Sequence, residues 1–205
     1  MAVLAAGVLV SLGDVPVGAS LLVGLLAPWL VLAGWPVLAT RTRGNGPVID
    51  LGLRMTWRDV GWGLLGGLVA LVLGSLAGAL TVALFGEFSS AAGDVAQELA
   101  DNGERAALVA FAVAVAVGAP VVEELAFRGM VFASLARRGV LPWVNVLVTA
   151  GAFALFHFEP KRILVLLVIG GVLSVLRWRT RALGASIVAH AVNNLPGALF
   201  LLTLG

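Results

Sequence analysis

Pro120-Val121-Val122-Glu123-Glu124-Leu125-Ala126-Phe127-Arg128-Gly129 is the stretch on which the reading of the chain turns. It sets two adjacent carboxylates and an arginine in a run that carries no other charge from Ala106 to Leu135. Ionisable groups at membrane depth cost about 2.5 kcal/mol each or more, so they are rare and usually functional. On a helix, Glu124 and Arg128 stand one turn apart on the same face and can pair. Glu123 lies about 100° further round and is left for another partner. The plainer alternative is a buried ion pair that only fixes helix packing.

The surroundings of that stretch have the same apolar character. The 205 residues are 60% hydrophobic and 12% charged, against roughly 45–50% and 25% in soluble domains. The expected fold is therefore all-α: a polytopic transmembrane helical bundle of about six to eight helices, one integral-membrane domain over residues 1–205. Net charge is only +2. The basic residues are nearly all arginine and fall between apolar runs, which reads as a topology signal and not as a nucleic-acid surface. The absence of cysteine excludes disulfides, thiolate metal ligands and a cysteine nucleophile. Met1-Ala2-Val3-Leu4 lacks the basic start of a secretory signal.

Taken in order, residues 2–12 are apolar but shorter than the roughly 20 residues of a helical span, and Asp14 and Pro16 interrupt them. Spans are expected at about 18–39, 60–86, 106–136, 141–158, 163–176 and 182–203, the fifth of them short. Gly63, Gly67, Gly74 and Gly78 have spacings that permit close helix contact. Pro120 is expected to bend the third span. Residues 87–104, with five acidic side chains, suggest a short exposed helix or lid, or equally a solvated loop. Arg41, Arg43, Arg54, Arg58, Arg137, Arg138, Arg177, Arg179 and Arg181 fall on one side of this arrangement; Arg105, Lys161 and Arg162 fall on the other. The first side should be cytoplasmic.

The chain has two histidines, and both fall in predicted spans: His157 in Phe153-Ala154-Leu155-Phe156-His157, His190 in His190-Ala191-Val192-Asn193-Asn194. Helical rise places Glu123 about 21 Å above Arg137, His157 about 21 Å beyond Trp143, and Asn194 about 20 Å beyond Arg181. Three helices thus bring polar groups to a similar height, where they can partner one another. One tension remains. His157 is four residues from Lys161, whereas Glu123 is eighteen from Arg105. A water-filled cavity, or a thin region near the short fifth span, would reconcile the depths.

These three motifs resemble the CPBP family, the CAAX proteases and bacteriocin-processing enzymes also described as the Abi group of intramembrane proteases. The family pattern is Glu-Glu-x-x-x-Arg, then Phe-x-x-x-His, then His-x-x-x-Asn, and it covers about 106–200 here. The N-terminal half is shorter than the family's usual eight-helix body. The resemblance implies an intramembrane endopeptidase acting on membrane-associated or prenylated-like protein or peptide substrates. Its catalytic residues would be Glu123, Glu124, His157, His190 and Asn194, with Arg128, Phe127, Phe153 and Asn193 in support. Glu123 would activate water with help from His157, and His190 and Asn194 would stabilise the oxyanion. No cofactor is favoured. Zinc held by Glu123, Glu124, His157 and His190 is the alternative, although the His-Glu-x-x-His helix is absent.

Two other functions compete. One is a non-enzymatic chaperone, immunity factor or assembly partner of the same fold, working with a further membrane protein. The other is a small proton-coupled carrier with an intramembrane Glu and His relay, against which stands the lack of an internal repeat.

Overall fold

The structure, a computed structural model, describes residues 17–204. The apolar piece at 2–12, with Asp14 and Pro16, lies outside the described residues. Regular structure among the described residues is entirely helical. Seven helices follow in order: α1 (Val17–Arg43), α2 (Trp57–Phe85), α3 (Ala91–Asp101), α4 (Arg105–Arg137), α5 (Pro142–Phe156), α6 (Pro160–Thr180) and α7 (Leu183–Leu201). A single turn, Pro47–Asp50, sits between α1 and α2. By length and composition α1, α2, α4 and α6 can cross a membrane. Large apolar side chains such as Leu30, Val31, Leu68, Leu76 and Leu84 are exposed on α1 and α2. A surface of that kind belongs against lipid.

The helix ends have local causes. Thr56 and Asp59 form a reciprocal capping box at the start of α2, and Gly86 closes its far end at φ 77°. Pro142 opens α5, and the left-handed Phe158 (φ 55°) follows its end. Two expectations are corrected here. The fifth span is not short, since α6 continues to Thr180. The short helix is α5, with fifteen residues, and His157 is its C-terminal cap and not an interior residue.

Contacts run α5 to α6, α6 to α2, α2 to α7, and α7 to α4, with α1 against α4. The tightest approach is α2 on α7. A Cβ at Gly63 or Gly67 would lie 2.5 Å from the Cβ of Val188 or Val192, and 2.9 Å from the carbonyl oxygens of Ala185 or Ala189. In lipid, helices associate through such close packing of small residues. Further along α2, Ala77 joins Ile169 and Leu173 of α6 and Ala189 of α7 in one buried cluster.

The acidic stretch 87–104 is a helix and not a loop. α3 starts at Ser90, whose Oγ accepts from Gly93 N. It buries Ala96 and Leu99 against Leu108 and Phe111 of α4 and Leu201 of α7, and leaves Asp94, Glu98 and Asp101 exposed. At the opposite end of the bundle the arginine-bearing loops gather. Arg177 Nη2 donates to Leu51 O (3.2 Å), Arg54 Nη2 to Thr180 O (3.3 Å), and Arg137 lies 3.8 Å from Asp50.

Candidate active site

The glutamates are carried by α4, and α4 is not uniformly wound. Ala114–Gly118 and Leu125–Val131 are π-helical turns, and between them lies an α-helical piece, Ala119–Glu124. Pro120 accounts for part of this. In the first wide turn Ala119 N donates to Ala114 O, five residues back. The next carbonyl, Val115, would look for the N–H of residue 120, and proline has none. Asn194 Nδ2 supplies the missing donor at 3.0 Å. Asn193 Nδ2 in turn donates to Asn194 Oδ1 at 3.2 Å. Asn194 thus ties α7 to the first wide turn of α4 and keeps one amide hydrogen uncommitted.

Arg128 is fully buried, and each of its three nitrogens donates a hydrogen bond. It donates to Glu124 Oε1 (2.8 Å), to Gly170 O (2.8 Å) and to Ser174 Oγ (3.4 Å), and its guanidinium lies 4.6 Å from the centre of the Phe153 ring. Glu124, also fully buried, accepts from Arg128 and from His190 Nδ1 (3.0 Å) through the same oxygen. A buried charge pair is tolerable only when such additional bonds satisfy it. Here the receiving carbonyl and hydroxyl come from the small-residue face of α6.

The histidine tautomers follow from their partners. His157 Nδ1 lies 2.8 Å from Phe153 O. A carbonyl only accepts, so Nδ1 carries the proton and Nε2 is turned inward with its lone pair. His190 Nδ1 donates to the Glu124 carboxylate, so its Nε2 also faces in. Both Nε2 atoms point at one atom, Glu123 Oε2, at 3.9 Å from His157 and 3.8 Å from His190. Oε2 of Glu123 is buried without a hydrogen-bond partner among the described residues. Both separations are longer than a direct hydrogen bond.

Phe153 is the floor of this arrangement. Its ring centre lies 4.6 Å from that of His157, 5.7 Å from His190 and 5.4 Å from Phe127, in edge-on or tilted contacts. Phe127 and Phe153 are both buried walls.

A cavity of about 610 Å³ opens above the floor. α1 lines it with Leu21, Leu25 and Trp29, and α4 with Phe111, Val115, Ala119 and Glu123, both at four-residue spacing. α7 contributes His190, Asn193 and Asn194. Ser89 to Gly93, at the start of α3, also line it. Glu159 ties that segment to the start of α6, since it accepts from Ala91 N (2.7 Å) and pairs with Arg162. The cavity and the early end of α5 resolve the depth mismatch between Glu123 and His157.

Sequence reasoning missed several of these residues. Gly170 and Ser174 could have been found by asking what satisfies the remaining N–H groups of a buried arginine. Glu159, two residues past His157, was overshadowed by Lys161 and Arg162. The pairing of His190 with Glu124 carried no sequence signal.

The donor set does not suit a metal as placed. Zinc ligands stand about 2.0–2.2 Å from the ion, and no group of three or more His, Cys, Asp or Glu among the described residues is arranged to hold one. Glu124 is turned to Arg128 and His190, so the four suggested ligands do not converge.

Residues 105–196 match the family model of the Rce1-like proteins, type II CAAX prenyl endopeptidases. The segment that carries the site is similar to that family, which is one of proteases. Four helices of the chain are long and apolar enough to cross a membrane. The Rce1-like segment is a little under half of the chain, and α1 to α3 precede it. It contains Glu123, Glu124, Arg128, Phe153, His157, His190, Asn193 and Asn194. No curated protein and no solved structure matches the chain.

Proposed function

We propose that this protein is a glutamate-dependent intramembrane endopeptidase whose catalytic core is about 106–200, within one integral-membrane domain. The observation that carries the reading is the convergence of both histidine Nε2 atoms on the unpartnered Oε2 of Glu123, inside an apolar-walled cavity.

In this reading a water held between Glu123 and the His157 Nε2 lone pair attacks the scissile carbonyl carbon. Glu123 takes its proton and later gives it to the leaving amine. The new C–O bond replaces the C–N bond. His190 and the uncommitted amide hydrogen of Asn194 donate to the developing oxyanion. To donate from Nε2 while Nδ1 serves Glu124, His190 must carry both ring protons. Glu124 and Arg128 then hold His190 in orientation and do not exchange protons with substrate. The apolar walls suit membrane-associated or prenylated-like peptide segments.

The test is cleavage of single-span and CAAX-like peptides by the purified full chain in detergent. His157→Ala and His190→Ala are each expected to lower turnover at least 100-fold, with or without a zinc chelator. Cleavage lost to chelator and restored by zinc would transfer these residues to a metal site. Absence of cleavage by wild type on every peptide would favour a non-enzymatic partner of the same fold.

The arginine-bearing segments 40–59, 137–140 and 177–181, the last of them the end of α6, are proposed to face the cytoplasm of a cell bearing this protein in its plasma membrane. The chain has no cysteine, so single cysteines report side directly. Thr42→Cys is expected to resist an impermeant thiol reagent on intact cells, and Ser89→Cys to react. The reverse pattern would invert the topology.

A further inference from the structure

A second cleft, of about 710 Å³, lies at the arginine-rich end between α2 and α6, remote from the glutamates. Arg54, Arg58 and Arg179 line it, with Thr56, Asp59 and Trp62. All three arginines are exposed, and no carboxylate pairs with any of them among the described residues. Asp59 forms no ion pair with them, since its Oδ2 accepts from Thr56 N (3.0 Å) and Thr56 Oγ1 (2.8 Å) and it is buried; its single charge offsets only one of the three arginines. Arg54 makes one hydrogen bond, to Thr180 O, and Arg179 stacks on Trp178 at 4.8 Å. Three arginines therefore line one hollow with a single aspartate, which leaves the hollow net positive. Guanidinium forks match the oxygens of a phosphate.

The position of the cleft selects the kind of phosphate. It sits where two membrane-crossing helices end together, the start of α2 and the end of α6. That places it in the headgroup layer. Exposed tryptophans surround it, Trp57, Trp62 and Trp178, as interfacial aromatic belts do. Towards the membrane, Leu65 and Val69 continue the Trp62 face of α2 and are exposed. They offer an apolar track below the basic hollow.

We infer that this cleft seats the headgroup of an anionic phospholipid, with its acyl chains along the Trp62, Leu65 and Val69 face of α2. Basic residues near a membrane surface each strengthen anionic-lipid binding several-fold.

The experiment is native mass spectrometry of the detergent-purified full chain with phosphatidylglycerol or phosphatidylcholine. Phosphatidylglycerol is expected to be retained at least tenfold more strongly, and millimolar inorganic phosphate is expected not to displace it. R58Q/R179Q should lose roughly tenfold to thirtyfold of that retention. R58K/R179K, which keeps both charges, should recover most of it. R41Q/R43Q, which removes exposed arginines from the same end but outside the cleft, should bind as wild type does. Equal retention of the two lipids, unchanged binding by R58Q/R179Q, failure of R58K/R179K, or an equal loss in R41Q/R43Q would each overturn the site. Displacement by phosphate would overturn the lipid as its occupant.

Discussion

Glu123→Gln is expected to slow peptide cleavage by about 10²–10⁴-fold, the usual worth of a general base, while folded yield stays at the wild-type level. The substitution keeps the side chain's shape and removes its ability to take a proton. Oε2 has no hydrogen-bond partner among the described residues, so replacing it breaks no bond. Removing a charge from an apolar setting should if anything favour the fold. Glu124 also has a buried Oε2 without a hydrogen-bond partner among the described residues, but it does not line the cavity, and its Oε1 accepts from Arg128 and His190. Initial rates on one cleaved peptide, with melting temperature measured alongside, separate the two effects. A rate within a few-fold of wild type would remove Glu123 from the chemistry. A matching fall in melting temperature would make its role structural.

Arg128→Ala should act in the opposite way, on stability first. It takes the guanidinium from the fully buried Glu124 carboxylate and leaves the Gly170 carbonyl with the Ser174 hydroxyl as its remaining side-chain donor. Breaking a buried pair by removing one partner costs about 3–5 kcal/mol, a large share of the stability of most proteins. Folded yield by size exclusion, together with thermal unfolding in detergent, reads this directly. A companion variant, Arg128→Met with Glu124→Gln, removes both charges and should recover part of the loss. If Arg128→Ala folds normally and only cleavage is lost, the arginine belongs to the reacting centre. If neither changes, the pair contributes little.

Much of the fold was legible because its determinants are long apolar runs, and these survive any detail of packing. The error in the fifth span has a specific physical origin. Arg177 looked like the charge that ends a helix, but it is buried within α6. Its guanidinium donates to Arg128 O and Leu51 O, so the helix runs past it. The core of the site was legible for a related reason: a buried charge must find a partner, and few were available. Spacing alone paired Glu124 with Arg128, and helical rise brought His157 and Asn194 to about the height of Glu123, with His190 a turn away. Spacing could not say which glutamate His190 would hold. It also could not say that Asn194 would meet a backbone carbonyl, because backbone acceptors leave no mark in composition. The lining supplied by the start of α3 and Glu159 depends on a tertiary contact between residues 68 apart in the chain.

The two wide turns of α4 have a consequence for how the carboxylates are aimed. A π turn holds one residue more than the α-turn it replaces, so the helix beyond it is out of phase by about 100°. Ala114–Gly118 and Leu125–Val131 each introduce such a slip, and Glu123 and Glu124 lie on the six residues between. Their rotational setting is therefore uncoupled from the flanks. The outer part of α4 keeps the phase that buries Leu108 and Phe111 under α3, and the inner part keeps the phase that buries Phe132 and Ala133. The short piece between them acts like a turret, oriented by the histidines, Arg128 and Asn194 rather than by the helix that carries it.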